Sequence, residues 1–172
     1  MRRTSGCGDS APSGPPRRRR SGPEGALSPQ PEVRRIDGRR ALLDDLLGNN
    51  YALVGFGVDP RKSLSAESRR ALEQLGVRYV TLFRYGQRPQ GLNGVARSGS
   101  QELAEVEDLG GHMVEWFEKA GYKTDAVALI RPDKFAFGVV PSRDVDQAVQ
   151  NLSVQLGLQT TSQFSPTAVS IA

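Results

Sequence analysis

The segment Ala126–Val140, AVALIRPDKFAFGVV, decides the fold. Two apolar runs, Ala126–Ile130 and Phe135–Val140, flank Arg131-Pro132-Asp133-Lys134. A proline presets φ for the second position of a turn, and an aspartate suits the third. The segment therefore predicts an antiparallel hairpin. Its first arm is apolar without a break, so both of its faces need cover. The remaining elements must supply it.

Working outward, residues 108–120 predict a helix with Leu109, Met113, Trp116, Phe117 and Ala120 on one face and Gly121 as its stop. Gly110 and Gly111 weaken its first turn. On the other side Ser142 is the expected N-cap of a helix, with Asp144 in its first turn. Its apolar face is Val145, Ala148, Val149, Leu152 and Leu156, and Gly157 ends it. Further upstream, Tyr51–Gly57, YALVGFG, predicts a central strand. A helix capped by Ser65 follows, with Glu67 in its first turn and Leu64, Ala71, Leu72 and Leu75 on one face. Gly76 stops it, and VRYVTLFR (Val77–Arg84) predicts a second strand. Strand, helix and strand at this spacing make a βαβ unit with parallel neighbours. Tyr85–Ser100, with five Gly or Pro residues, reads as a surface loop, and Gln101–Glu107 as the site of a short edge strand.

The order β-α-β, loop, α-β-β-α matches a thioredoxin-like α/β arrangement, a mixed sheet sandwiched between helices. Ahead of it, residues 32–50 read as a linker. Val33–Ile36 and Arg39–Leu43 form a hairpin around the two-residue turn signal Asp37-Gly38, and Asp44-Asp45-Leu46-Leu47-Gly48 forms one helical turn. Residues 51–157 are the domain proper. Residues 1–31 are an Arg/Pro/Gly/Ser-rich tail expected to be disordered, and 158–172 a flexible C-terminal tail.

Charge separates along these boundaries. The net charge of +4 belongs to residues 1–31, with six Arg and two acidic residues; residues 32–172 hold equal numbers of each sign. A balanced body does not suggest a nucleic-acid surface. No apolar run reaches the length of a membrane span. The one cysteine, Cys7, lies in the tail, so no disulfide pair or cysteine metal site can form within the chain. These features fit a cytoplasmic protein without a membrane partner.

Catalytic equipment is sparse. Gly55-Phe56-Gly57 follows a strand, yet the third glycine of a dinucleotide fingerprint would fall on Pro60. The turn where a redox thioredoxin carries its thiols is Val58-Asp59-Pro60-Arg61-Lys62-Ser63, without cysteine. His112 is the sole histidine and reads as a surface or half-buried residue; no ligand partners stand at metal spacing. The serines leave a Ser-His-Asp triad formally open, but no Gly-x-Ser-x-Gly elbow supports one. Arg131, Pro132 and Asp133 at the hairpin tip carry two readings. In one, Asp133 closes the turn and Arg131 pairs with a nearby carboxylate; in the other, the tip docks a partner. The first is preferred. Trp116 and Phe117 sit at helical spacing with Leu109 and Met113, which favours core over an aromatic platform.

Tyr51–Gly57 with Asp59-Pro60, then Val106–Phe117 and Ala126–Phe137, resembles the C-terminal end of class A FAD-dependent aromatic hydroxylases, of the phenol hydroxylase and 3-(3-hydroxyphenyl)propionate hydroxylase kind. Pro29-Gln30-Pro31, Asp37-Gly38 and the Asp-Asp-Leu-Leu-Gly turn resemble the linker that enters that domain. The most specific pieces are that turn, Trp116-Phe117 and Arg131-Pro132-Asp133. The resemblance implies a thioredoxin-like domain without redox cysteines, structural or subunit-contacting in role, appended to a body that uses FAD and NAD(P)H to hydroxylate a phenolic ring. It carries over no catalytic, cofactor-binding or metal residue. It leaves Trp116, Phe117, Arg131, Pro132 and Asp133 as the candidate docking or structural residues. Glycine is common in the family at the position of Lys134, where a lysine in the left-handed region costs about 1–2 kcal/mol.

The expectation is a non-catalytic C-terminal domain, as a truncated or split chain, that binds no cofactor itself and either self-associates or docks to a hydroxylase catalytic body. The alternative is a free-standing interaction module whose basic tail binds an anionic partner. A thiol oxidoreductase is disfavoured by the lone Cys7.

Overall fold

The computed structural model describes residues 24–89 and 103–158. The Arg-rich start of the chain with Cys7, most of the Tyr85–Ser100 loop, and residues 159–172 lie outside the described residues. Seven strands and four helices occur in the order β1 (Glu32–Arg35), β2 (Arg40–Leu42), α1 (Leu43–Leu47), β3 (Ala52–Phe56), α2 (Ala66–Gln74), β4 (Arg78–Arg84), β5 (Leu103–Asp108), α3 (His112–Lys119), β6 (Ala126–Ile130), β7 (Ala136–Pro141) and α4 (Val145–Gln155). The strands form one mixed sheet, β2-β1-β5-β4-β3-β6-β7.

β3, β4 and β5 are mutually parallel, and β6 pairs antiparallel to β3, with Ala52 opposite Ile130 and Phe56 opposite Ala126. β7 closes the predicted hairpin. All five residues of β3 and all five of β6 are buried. The unbroken apolar runs follow from this position, because each strand has helices over both faces. On one face α1 and α3 bring Leu43, Leu47, Met113 and Phe117 onto Val54, Val80, Leu82, Val106, Ala128 and Ile130. On the other, Leu72 of α2 and Val149 and Leu152 of α4 pack on Leu53, Tyr79, Val127 and Leu129. Each fully buried aliphatic side chain contributes roughly 1.5–3 kcal/mol. The fold is thioredoxin-like, as the element order implies.

The structure corrects several boundaries. The hairpin at 32–50 is not a linker outside the sheet. β1 pairs antiparallel with β5, which places β5 in the interior instead of at an edge. Residues 24–31 do not belong to a free tail. Gly25 N donates to Ala136 O at 2.9 Å, Ala136 N to Ala26 O at 2.9 Å and Ser28 N to Lys134 O at 2.9 Å, laying this segment along β7. Ser142 does not cap α4. It lies in a 3-10 turn and its hydroxyl donates to Asp125 Oδ1 at 2.6 Å. Leu156, assigned to the apolar face of α4, is exposed. The Asp37-Gly38 hairpin is a three-residue loop: Arg35 N bonds Arg39 O, Gly38 N bonds Arg35 O, and Gly38 takes φ 82°.

Helix α3 begins at His112 instead of at Asp108. Asp108 is the last residue of β5 and only 1% exposed. Its Oδ1 accepts from Gly111 N at 2.9 Å, and its Oδ2 from Met113 N at 2.8 Å and Val114 N at 3.0 Å. These are the donors that a helix start leaves without partners, and the carboxylate also complements the helix dipole. Among the described residues no helix is long and apolar enough to cross a membrane.

Asp108→Ala strands three backbone donors in the core. The expected loss is about 2–4 kcal/mol, seen as a lower urea midpoint at unchanged m-value. Asp108→Asn keeps an acceptor and loses less.

Candidate functional site

Three places on this fold could carry function: the β3–α2 turn, the cleft beyond β4 and β5, and the hairpin tip.

At the β3–α2 turn the chain doubles back on itself. A Cβ on Gly55 would collide with the Val58 carbonyl oxygen and lie 3.0 Å from Pro60 Cδ. One on Gly57 would lie 2.6 Å from Thr124 Oγ1. Both glycines are thus used by the turn's own packing, and they leave no cradle for a pyrophosphate. Where a redox domain places thiols, this chain has an ion pair. Asp59 Oδ2 accepts from Arg61 Nη2 at 2.9 Å, and Asp59 Oδ1 accepts from the Arg61 backbone N–H at 3.0 Å. Burial alone would raise the Asp59 carboxyl, but the Arg61 bonds outweigh it and hold it below the usual carboxylate range. The N-terminus of α2 is closed by the chain itself. Ser65 Oγ accepts from Ser68 N at 3.2 Å, and Asp146 Oδ1 of α4 accepts from Ser65 N at 2.8 Å. Nearby, burial pushes the Tyr79 phenol up to about 12, with the Glu73 carboxylate adding to it.

Beyond the C-terminal ends of β4 and β5, where open α/β sheets commonly bind ligands, lies a shallow cleft of 450 Å³ lined by Glu32, Arg40, Tyr85, Leu109, Gly110 and His112. His112 is exposed. Arg40 pairs with Glu32 at 3.5 Å, and the adjoining start of α3 is already filled by Asp108. At its border Glu107 is 5% exposed; it accepts from Arg34 at 2.5 Å and from Gly86 N at 3.1 Å, with the Arg34 guanidinium 4.9 Å from the Tyr85 ring centroid. Nothing in the sequence marks Glu107 or Asp108 as structural anchors. Their signal is a pair of carboxylates at the end of a strand, which also fits an exposed strand end.

At the tip, Arg131 Nη2 meets Asp133 Oδ2 at 2.6 Å, and Asp133 Oδ1 accepts from Phe135 N at 3.3 Å. Asp133 closes the turn, and it is also the carboxylate that Arg131 pairs with. Arg131 N bonds Phe135 O, Lys134 N bonds Arg131 O, and Lys134 takes φ 67°. This repeats the Asp37-Gly38 loop with lysine in the glycine position. The Lys134 Nζ donates to the Gly48 carbonyl at the end of α1, a favourable place for a cation. Phe117 is fully buried and stacks on Phe56 at 5.1 Å, and half-buried Trp116 meets Phe117 edge-on at 5.4 Å. This aromatic group sits at the Ala126 end of β6 and the tip follows its Ile130 end, about 13 Å away by strand rise. The structure does not bring the five candidate residues together.

FAD and NAD(P)H, implied by the resemblance, do not fit the described residues at the β3–α2 turn or at the α2 and α3 starts as a dinucleotide site. Gly55 and Gly57 serve the turn, and the α2 and α3 starts hold the chain's own Ser65, Asp146 and Asp108 side chains. Among the described residues there is also no group of three or more His, Cys, Asp or Glu placed to hold a metal ion.

The class defined by these features is a thioredoxin-like domain with an Asp-Arg ion pair in the thiol position. Among solved structures it is similar to copper-bound ScoI of Arabidopsis thaliana, with TM-score 0.55 and 17% identity, covering 78% of this chain and 100% of that one. It is also similar to the thioredoxin domain of a thiol-disulfide oxidoreductase from Bacteroides vulgatus, with TM-score 0.50 and 15% identity, covering 75% and 96%. These likenesses show the fold. The model of the HcaD C-terminal domain family matches residues 25–155, and the chain belongs to that family. Curated relatives are 3-(3-hydroxy-phenyl)propionate/3-hydroxycinnamic acid hydroxylases. That of Paraburkholderia xenovorans is 29% identical over 141 residues, covering 82% of this chain and 21% of the relative. That of Burkholderia cenocepacia is 32% identical over 120 residues, covering 64% and 20%. The chain thus spans about a fifth of the length of the curated relatives it matches, and it is the C-terminal domain of the aromatic hydroxylase kind that the sequence resembles.

Two measurements probe this geometry. Lys134→Gly removes left-handed strain and Lys134→Ala does not, while both lose the bond to Gly48. The glycine variant should be the more stable by about 1 kcal/mol in parallel urea titrations. For pH, the raised Tyr79 phenol means stability that is complete below the free-tyrosine value of about 10 and is lost as pH rises through about 12. Tyr79→Phe should flatten the urea midpoint over that window. The lowered Asp59 acts oppositely: its stabilisation is present above the free carboxyl value and is lost as pH falls through the folded one.

Proposed function

We propose that this chain is a non-catalytic docking domain of an FAD- and NAD(P)H-dependent aromatic-ring hydroxylase, with a structural or subunit-contact role. Hydroxylation itself belongs to the larger part of such enzymes, for which the curated relatives are five times longer than the stretch matched here. The observation that carries the reading is the closure, among the described residues, of the β3–α2 turn and of the α2 and α3 starts. The thiol position is an Asp59–Arg61 ion pair, and the α2 and α3 starts are filled by the chain's own side chains. What such a domain still offers is surface. Its partner would be the hydroxylase catalytic body or a second copy of the chain, in the cytoplasm.

The test uses the purified chain alone and with a catalytic body. The expected preparation shows no flavin absorbance band. It either self-associates in light scattering or binds a hydroxylase from which the corresponding domain has been removed. A retained flavin would overturn the non-catalytic reading. A strictly monomeric species that binds no such body would overturn the docking role.

A further inference from the structure

The docking reading above leaves open which surface docks, and one groove has the features that answer it. It measures 510 Å³ and is lined by Glu24, Phe137 of β7, and Asn151, Val154 and Gln155 of α4. Val154 is 80% exposed, although a core position is where a valine usually sits. Leu156 just beyond α4 is 40% exposed. Just ahead of β7, Phe135 is 39% exposed, and Leu27, bridged to it, is 56% exposed. Val154 stands in the lining itself, beside the partly buried Phe137. Glu24 is the only charged lining residue, so covering the groove desolvates little charge.

Chain connectivity names the occupant. Residues 25–28 are fixed to Ala136 of β7 and to Lys134 of the turn before it by three backbone hydrogen bonds, and the family match begins at residue 25. In the longer relatives the domain is C-terminal, so the polypeptide ahead of it must arrive at the position of Glu24, on the rim of the groove. A body tethered there meets the groove at a high effective concentration, which favours even a modest patch. Apolar Val154 and Phe137 set among polar Glu24, Asn151 and Gln155 also fit a docking interface, which mixes apolar and polar contacts. We propose that the β7–α4 groove seats the larger N-terminal part of the hydroxylase, with Val154 as its exposed apolar anchor. The proposal rests on the docking reading.

The probe is the Paraburkholderia xenovorans hydroxylase with its final fifth removed, titrated by calorimetry with the full 172-residue chain. The variant Val154→Asp changes an exposed side chain and should keep its melting temperature near that of the wild type. It should bind at least tenfold more weakly, whereas Arg131→Ala/Asp133→Ala at the tip should bind as wild type. Equal binding by Val154→Asp, or loss of binding in the tip variant alone, would overturn the groove and leave the docking role standing. Absence of any wild-type binding would overturn the groove, and in a strictly monomeric chain it would remove the docking role as well. Two results would reassign the groove and overturn the proposal. A self-associated wild type that Val154→Asp dissolves would place a second copy there. Binding more than tenfold tighter after removal of residues 1–23 or 159–172 would place the chain's own end there.

Discussion

The carboxylate of Asp108 is nearly sealed from solvent and holds three backbone N–H groups at the start of α3. A buried charge is tolerable only when its lone pairs are taken up, and here the helix supplies the donors. This contact fixes where β5 ends and where α3 begins. Met113 and Phe117 then point into the core against Val54, Phe56 and Val106. The neighbouring residue, Glu107, fastens the other face of the same strand end through Arg34 of β1 and the N–H of Gly86. Two successive acids thus tie a strand, a helix, the added hairpin and the start of the β4–β5 connection at one point.

The same arrangement shows why the sequence revealed the inner sheet and missed its extension. β3 and β6 are apolar at every position, because helices cover both faces, and such runs stand out without context. β5 contains Glu105, Glu107 and Asp108, so by composition it belongs at an edge. Its interior position depends on β1, about seventy residues away in the chain, and on charges satisfied by partners that local pattern cannot name. Ser142 misled for a related reason. A serine before a helix has the signature of a cap, yet its hydroxyl is taken by Asp125 across the β7–α4 corner. Of the candidate site residues, Phe117 was legible from helical spacing and the Asp133 turn from its chemistry. The groove was not: Val154 falls off the apolar face of α4 in the sequence, but no local pattern tells that Phe137 and Glu24 come beside it.

Two hairpins in this sheet share one loop geometry and solve it differently. At Gly38 the left-handed residue has no side chain to strain. At Lys134 the strain is accepted, and the ammonium reaches the last carbonyl region of α1. The opening hairpin is therefore joined to the short α1 helix by a side chain whose backbone conformation is unfavourable alone. Burial raises the Asp44 carboxyl on that same helix and Lys134 opposes it, a second link between the two elements. The tip is occupied with internal contacts: Arg131 with Asp133, Asp133 with the Phe135 N–H, and Lys134 with Gly48.

That inward commitment separates the tip from the groove as a place for a partner. An exposed ion pair such as Arg131–Asp133 contributes little, and a partner would have to break it or desolvate it. The groove asks for less, since Glu24 is the one charged residue in its lining, beside Phe137 and the exposed Val154. A thioredoxin-like fold without thiols keeps its rigid sheet and its paired helices, and this rigidity is the property a docking module needs. An anchor such as Val154, held on α4, brings little backbone freedom to lose on binding, so more of the contact energy appears as affinity. The segment that leads into the domain is bonded to β7. A domain joined there can seat its neighbour with short reach and without reorganising its core.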